Sequence, residues 1–185
     1  MADKMGKKHK NDRVNLTLSI DQNVIDEIKR DSERQGLSVN AKVNTIMTKY
    51  VSFYRLIEEQ ECSIIPSKLW GQMVDAIEEE KLLNLLNGEG VGAIYSIFLN
   101  NNIPMTLDNF IKYCFQEICL WSGMYSSFRV FNESGQVTLV FEHKYGPKWS
   151  RLISNTFTMM IRTMLNRKAE SQVLPNTVKI IIQQK

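Results

Sequence analysis

Residues 14–54 read VNLTLSIDQNVIDEIKRDSERQGLSVNAKVNTIMTKYVSFY, and within this stretch the spacing of apolar residues changes from two to that of a helix. Over the first seven residues apolar and polar side chains alternate, which predicts a strand with one buried face. The apolar positions are Val14, Leu16, Leu18 and Ile20, and the polar ones are Asn15, Thr17 and Ser19.

Two helices are predicted after this strand. Asp21 offers an N-cap oxygen to the first helix, Gly36 ends it, and Ser38 begins the second. Their inward-facing residues recur at helical spacing. These are Val24, Ile25, Ile28 and Ser32 in the first helix, and Val43, Ile46, Met47, Tyr50 and Val51 in the second.

A strand and two helices of about 40 residues cannot cover their own apolar surface. The strand also needs a second strand to pair with, and its own copy in another chain is the simplest partner. The pattern therefore predicts a homodimer in which two copies of residues 14–20 pair antiparallel into a ribbon.

The outer face of such a ribbon is polar, and a two-stranded ribbon fits the DNA major groove. Asn, Thr and Ser side chains hydrogen-bond to base edges, so Asn15, Thr17 and Ser19 are predicted to read bases. Residues 1–12 precede the strand and are predicted to form a disordered basic arm. The predicted phosphate contacts in and beside the arm are Lys7, Lys8, Lys10 and Arg13.

Residues 13–55 resemble a ribbon-helix-helix DNA-binding domain of the Arc/MetJ type. The resemblance is carried by the alternating strand NLTLSI, the helix VIDEIKRDSERQ and the Gly36-Leu37-Ser38 turn. It implies a DNA-binding dimer in which the polar strand positions read bases. It also implies that the backbone amides at the start of the second helix hold a phosphate. Those amides belong to Ser38, Val39 and Asn40.

The stretch departs from the family pattern in two ways. Asp21 stands where proline or serine is common, and the base-reading positions carry no Arg or Lys. Each feature also has a plainer interpretation, since a polar strand face is typical of a half-solvated edge strand and a lysine-rich terminus of a solubilising tail. The order of basic arm, strand, helix, glycine turn and capped helix favours the DNA-binding interpretation.

The composition is that of an ordinary globular protein, with 43% hydrophobic and 23% charged residues and a net charge of +3. Residues 1–55 hold 11 Lys and Arg against 7 Asp and Glu, whereas residues 56–185 hold 12 against 13. The excess positive charge therefore belongs to the predicted DNA-binding part. Three cysteines form no disulfide framework, and no apolar run approaches 18 residues, so a cytoplasmic, nucleoid-associated location without membrane partners is expected.

A domain boundary is predicted between residues 58 and 66, after a DNA-binding domain at 13–58. The second domain, 66–185, begins with three predicted helices. The first spans Ser67 to Leu86, the turn Asn87–Gly90 leads into a helix from Val91 to Leu99, and Thr106 caps the third.

Strand patterns follow these helices. The runs SSFRVFN and QVTLVFEH flank a hairpin turn at residues 132–135. Pro147 opens a long amphipathic helix, and a loop around Pro175 leads to a last strand at residues 177–182. The whole chain is therefore predicted to be α+β, with a ribbon-helix-helix unit followed by three helices and a β-β-α-β unit.

Few groupings of chemical side chains occur in the second domain. A metal site and a cofactor are not predicted, because the chain has two histidines and no Cys-x-x-Cys motif. Cys114 and Cys119 lie five apart, about 140° round an α-helix, which predicts buried core thiols that do not share a face. A strand end beside a helix N-terminus suggests an anion site, with a tight turn carrying a core tryptophan as the structural alternative. Its candidate residues are His143, Lys144, Lys148 and Arg151.

The sequence thus predicts a homodimeric, sequence-specific transcriptional regulator that binds double-stranded DNA. The distal domain is expected to sense a small-molecule effector or to drive further oligomerisation. No catalytic grouping is recognisable, so no enzymatic activity is predicted. The alternatives are a nucleoid-associated protein that coats DNA without sequence preference, and the antitoxin of a toxin-antitoxin pair.

Overall fold

This computed structural model describes residues 14–60, 62–133 and 135–183, and these residues contain helices and one antiparallel sheet. This confirms the predicted α+β class. The chain divides into two compact units, Met1–Thr45 and Ile46–Lys185. The division lies upstream of the domain boundary predicted at 58–66.

The first unit contains α1, Gln22–Gln35. Asp21 occupies the N-cap position, where its backbone carbonyl accepts from the Ile25 N–H at 3.0 Å. Its side chain makes no capping hydrogen bond, contrary to the prediction, and being exposed it can be solvated by water instead. Gly36 ends the helix as predicted. Its φ of +63° allows the N–H groups of Gly36 and Leu37 to bond to carbonyls of the last turn.

Residues 14–20 form no strand in the single chain. A strand is defined by hydrogen bonds to a neighbour, and no described segment of the same chain lies alongside this one as a partner. The predicted ribbon, which requires a second chain, therefore stays a prediction.

Helical structure runs from Val39 to Gln60. It comprises α2 (Val39–Lys49), a π-helical segment (Tyr50–Tyr54), α3 (Arg55–Ile57) and a 3-10 turn (Glu58–Gln60). The Ser38 Oγ accepts from the Ala41 N–H at 3.2 Å, which confirms the predicted cap. In the second unit, Phe53 and Leu56 form an apolar cluster with Ile97 and Ile118. This packing explains why the units divide before these residues rather than after them.

The next helices are α4 (Ser67–Ala76), α5 (Glu79–Leu85), a π-helical segment (Leu86–Gly90) and α6 (Val91–Asn100). The single helix predicted from Ser67 to Leu86 is thus wrong, because the chain is extended at Ile77. The break is stabilised by Lys148, whose Nζ donates to the carbonyls of Asp75 and Ile77. The turn predicted at Asn87–Gly90 is wrong as well, since these residues continue the helix as one wide turn.

The third predicted helix is also wider than expected. Thr106 caps α7 (Leu107–Asn109) by accepting from the Asn109 N–H at 3.3 Å, as predicted, and a π-helical segment, Phe110–Cys119, follows. A π-helix bonds residue i to residue i+5, so residues five apart lie on one face. Cys114 and Cys119 are both buried, as predicted, but they share that face, contrary to the α-helical estimate.

The sheet has the order β1-β2-β4-β3, formed by Ser127–Glu133, Gln136–Glu142, Thr177–Gln183 and Ala169–Leu174. β1 and β2 form the predicted hairpin, and β4 is the predicted last strand. β3 was missed, so the unit is β-β-α-β-β. The segment AESQVL runs directly into Pro175 and shows little alternation, and its strand character comes from pairing with β4.

One helix, α8 (Gly146–Leu165), covers one face of the sheet, with Pro147 in its first turn as predicted. The core lies between α8, the sheet and the upstream helices. Phe115 stands at its centre, with ring centroids 4.9 Å from Phe157, 5.2 Å from Phe141 and 5.5 Å from Phe110. The opposite sheet face carries exposed and half-buried side chains, such as Phe131 and the paired Arg129 and Glu142.

The helical run Glu79–Asn100 is long and apolar enough to cross a membrane by length and composition alone. Its most apolar window has a mean hydropathy of 1.3. In the second unit this run contributes Leu82, Ile97 and Phe98 to the buried clusters.

Phe115→Ala tests the aromatic centre of the core. The substitution leaves a cavity among closely packed rings, so we expect the free energy of unfolding to fall by about 3–5 kcal/mol. Urea denaturation followed by tryptophan fluorescence measures the change. The control is Phe131→Ala on the solvent-facing side of the sheet, which we expect to cost less than about 1 kcal/mol. Equal losses in the two variants would contradict this description of the core.

Candidate functional site

The predicted base-reading side chains Asn15, Thr17 and Ser19 are all exposed. The apolar side chains between them are exposed too, with Val14 86% and Leu16 70% accessible. A single chain therefore leaves both sides of residues 14–20 in water. Only one of these sides is suited to water, because the other consists of Val, Leu and Ile.

The lack of buried apolar residues extends through the first unit. Among residues 14–45, Ser32 is the one buried side chain, and its hydroxyl donates to the Ile28 carbonyl at 2.7 Å. No residue of α2 is buried. Several apolar residues predicted to face inward are instead at least 40% exposed: Ile20 and Val24 in the first unit, and Ile46, Met47, Tyr50 and Val51 directly after it. Both helices thus expose apolar surface that a single chain does not cover.

The predicted phosphate-binding residues Ser38, Val39 and Asn40 lie together at the start of α2. The Ser38 side chain binds the Ala41 N–H and its carbonyl accepts from the Lys42 N–H at 3.0 Å. The backbone N–H groups of Ser38, Val39 and Asn40 have no acceptor within the helix, because the first N–H groups of any helix lack one. The first turn of α2 therefore offers donors and the positive end of a helix dipole.

The positive charges on α1 are neutralised locally. Arg30 pairs with Glu27 at 2.7 Å, Lys29 lies 3.7 Å from Asp26, and Arg34 pairs with Asp31. The Arg34 guanidinium also holds the pKa of Asp31 below its usual value. These exposed pairs leave α1 little net charge to attract a phosphate backbone.

Lys42 is a cation near the start of α2 that sequence reasoning missed. Its Nζ lies 3.2 Å from Gln35 Oε1 and 3.7 Å from Asp31 Oδ2. Lys42 could have been identified from the sequence, because it stands one helical turn after Ser38. The predicted arm residues Lys7, Lys8, Lys10 and Arg13 lie outside the described residues.

The candidate anion residues have internal partners. Arg151 forms a bidentate pair with Glu79, with Nε–Oε1 at 2.8 Å and Nη2–Oε2 at 2.6 Å, and its guanidinium lowers the pKa of Glu79. Lys148 is bound to the carbonyls at the end of α4. Lys144 is exposed. The four candidate residues are close in sequence. Lys148 and Arg151, however, are each bound to a different partner within the protein.

His143 is buried and belongs to a chain of hydrogen bonds. Its Nδ1 accepts from the Tyr145 N–H at 3.2 Å, so the proton of the neutral ring is on Nε2. Nε2 donates to the Ser150 Oγ at 2.8 Å, and that hydroxyl donates to the Pro175 carbonyl at 3.1 Å. Burial lowers the pKa of His143 to about 4. The neutral ring joins the end of β2, the first turns of α8 and the β3–β4 turn.

The second unit also contains an apolar cavity of about 240 Å³, which sequence reasoning missed. Two π-helical segments contribute to its wall, through Leu86 and through Cys114 and Cys119. Ile57 of α3 and Phe157 of α8 line it as well. No local pattern predicts it, because the residues come from distant parts of the sequence. The described residues contain no group of three or more His, Cys, Asp or Glu side chains that could hold a metal ion.

A comparison with protein-family models finds no match to this chain, and a search of curated proteins finds none either.

His143 predicts a pH dependence of stability. In the unfolded chain its pKa returns to about 6.5, so between pH 6.5 and 4 the unfolded state binds a proton that the folded state does not. Stability is therefore fully present above pH 6.5 and declines as the pH falls toward 4. At about 1.4 kcal/mol per pH unit, the loss between pH 6.5 and pH 4.5 is on the order of 2–3 kcal/mol.

The measurement is a pair of urea titrations from pH 7 to pH 4.5, on the native chain and on His143→Gln. The glutamine has no titrating group, so the difference in unfolding free energy between the two proteins should shrink as the pH falls. A constant difference across this range would show that His143 is not held neutral by the fold.

Proposed function

We propose that this protein is a sequence-specific DNA-binding transcriptional regulator that acts as a homodimer. The observation that carries the proposal is the exposed apolar side of residues 14–20, in a unit whose described residues bury no apolar side chain. Leaving this surface in water is unfavourable by roughly 25 cal/mol for each Å². A second copy of the same segment can cover it.

Antiparallel pairing of two copies of residues 14–20 supplies what one chain lacks. The backbone N–H and C=O groups find ladder partners, and the residues at 14, 16, 18 and 20 turn inward against the helices. The alternation then places Asn15, Thr17 and Ser19 of both chains on the outer face. This two-fold ribbon has the dimensions of a major-groove reader.

Contacts to the DNA backbone come from two further features. The first turn of α2 presents backbone donors at Ser38–Asn40, with Lys42 close by. The basic arm adds sequence-independent attraction to phosphate. Because the polar ribbon side chains are uncharged, the arm is expected to supply much of the affinity and the ribbon much of the specificity.

The distal unit is assigned the role of sensor or oligomerisation domain. It has its own aromatic core and an internal cavity, both of which are independent of residues 14–45. A well-packed unit of this kind argues against the antitoxin alternative, in which the distal part would fold on its target. The DNA-coating alternative predicts binding without sequence preference, which the following experiments separate.

Selection from a random pool of DNA duplexes, at low and at physiological salt, tests the proposal directly. We expect an enriched palindrome or pair of half-sites that survives the higher salt, because base contacts persist when phosphate attraction is screened. Binding without an enriched motif would indicate a DNA-coating protein. An absence of binding would overturn the proposal.

Two matched double substitutions on the same segment separate dimerisation from base reading. Leu16→Glu with Leu18→Glu places charge on the pairing side, so we expect sedimentation velocity to show monomers and DNA binding to be abolished. Asn15→Ala with Thr17→Ala alters only the reading side, so we expect a stable dimer that binds DNA without preference. If the glutamate variant stayed dimeric, residues 14–20 would not hold the dimer together.

Removal of residues 1–12 tests the arm. We expect affinity to fall equally for all sequences. The slope of log K against log salt should become shallower by about 1 for each phosphate that the arm no longer neutralises. Fluorescence anisotropy at several salt concentrations measures both effects. A decrease confined to the selected operator would assign base reading to the arm instead.

A further inference from the structure

The cavity of the second unit is enclosed by residues that are mostly apolar. Its deep wall is formed by buried side chains such as Cys114, Ile153, Phe157 and Met160. The exposed residues Cys62 and Ser122 also line it, which places an opening toward solvent at that side. A space that is buried at one end and open at the other is suited to a small molecule.

The chemistry of the wall restricts what can bind. Three of the polar side chains among the lining residues are engaged with protein partners. The Thr156 Oγ1 bonds to Asn87 Oδ1 at 2.8 Å, the Ser122 Oγ donates to the Cys119 carbonyl at 2.9 Å, and the Trp149 Nε1 donates to the Met124 carbonyl at 3.3 Å. No Asp, Glu, Lys or Arg is among the lining residues that the structure describes. A charged ligand would lose its hydration there without compensation.

The volume restricts the size of the ligand. An apolar protein cavity of about 150 Å³ stays dry and binds benzene. The present cavity has a volume of about 240 Å³, which is about 1.6 times as large. Since benzene has six non-hydrogen atoms, a ligand that fills the present cavity has about ten. One aromatic ring with a short substituent, or a small fused bicycle, fits this space.

The geometry of the wall is also unusual. Two of its sides are π-helical, at Leu86–Gly90 and at Phe110–Cys119. Wide turns of this kind are uncommon and occur frequently at functional sites. Here they bring the two thiols to the same face, where Cys114 and Cys119 both border the cavity.

We propose that this cavity binds a small, uncharged, apolar molecule of about seven to ten non-hydrogen atoms. If the protein is the regulator proposed above, on which this role rests, the molecule is its effector. Ile57 lines the cavity, and Phe53 and Leu56 pack against Ile97 of its wall. A ligand can therefore act on the helical residues that continue α2.

The binding test uses the full chain and needs no DNA, so its outcome is independent of the proposed function. Toluene is the probe and benzoate its charged counterpart. We expect toluene, at about tenfold excess over its dissociation constant, to raise Tm by about 3–5 °C. Benzoate should leave Tm unchanged, and toluene should alter the fluorescence of Trp149, which lines the cavity.

Two variants in the same helix locate the effect. Ala93 lines the cavity, so Ala93→Leu fills part of it and should abolish the toluene shift. Gly92 is exposed and a Cβ there meets no atom within 4 Å, so Gly92→Ala should retain the shift. A crystal of the native chain under xenon pressure covers the case in which Ala93→Leu does not fold, with a xenon site expected beside Cys114 and Phe157. No shift in the native chain, equal shifts in both variants, or no xenon at this position would overturn the proposal.

Discussion

Burial of the apolar side chains at 14, 16, 18 and 20 is the constraint on which the proposed DNA-binding unit depends. Within one chain these side chains remain in water, and the helices beside them bury nothing apolar. The polar side chains between them can be displayed in a fixed order only when the apolar ones are held. Specific recognition of DNA is thus coupled, in this proposal, to association of two chains.

The second unit buries its apolar side chains within one chain. Its sheet presents one apolar face to α8, and the rings around Phe115 connect that face to the upstream helices. Hydrogen bonds over long sequence distances hold this arrangement, such as those from Lys148 to the end of α4 and from Arg151 to the start of α5. The neutral His143 adds a buried polar connection at the sheet's end.

The sequence was sufficient wherever local periodicity decides the structure. α1, α6, the start of α8 and the β1–β2 hairpin were predicted close to their observed bounds, because apolar residues recur in each of them at a regular spacing. β3 was missed because its segment gains strand character only from β4. The break at Ile77 and the partners of Lys148 and Arg151 were missed because they involve hydrogen bonds across 71 and 72 residues.

In the candidate sites, too, local spacing predicted some features and missed those that depend on residues distant in the sequence. The cap at Ser38 followed from spacing. The exposure of Asn15, Thr17 and Ser19 does not test their predicted role, because the apolar side chains between them are exposed as well. The cavity did not follow from spacing, since its residues are gathered from α3, two π-helical segments and α8. The property that the sequence pattern did not reveal was the number of residues in each helical turn. An apolar period of three and four residues does not distinguish an α-helix from a helix with i+5 hydrogen bonds over one or two turns.

The π-helical segment at Phe110–Cys119 has a consequence for how this domain tolerates insertions and deletions. Each residue of an α-helix advances the chain by about 100°. In a π-helical turn each residue advances the chain by less than this, because the i+5 hydrogen bond takes one extra residue into the turn. Loss of one residue between Cys114 and Cys119 therefore allows α-helical bonding to resume while the residues after the deletion keep their orientation relative to Phe110. The two cysteines would then stand four apart, which is the α-helical spacing of one face. A deletion of one residue is thus tolerated more readily here than within α8, where every residue after it would rotate by about 100°.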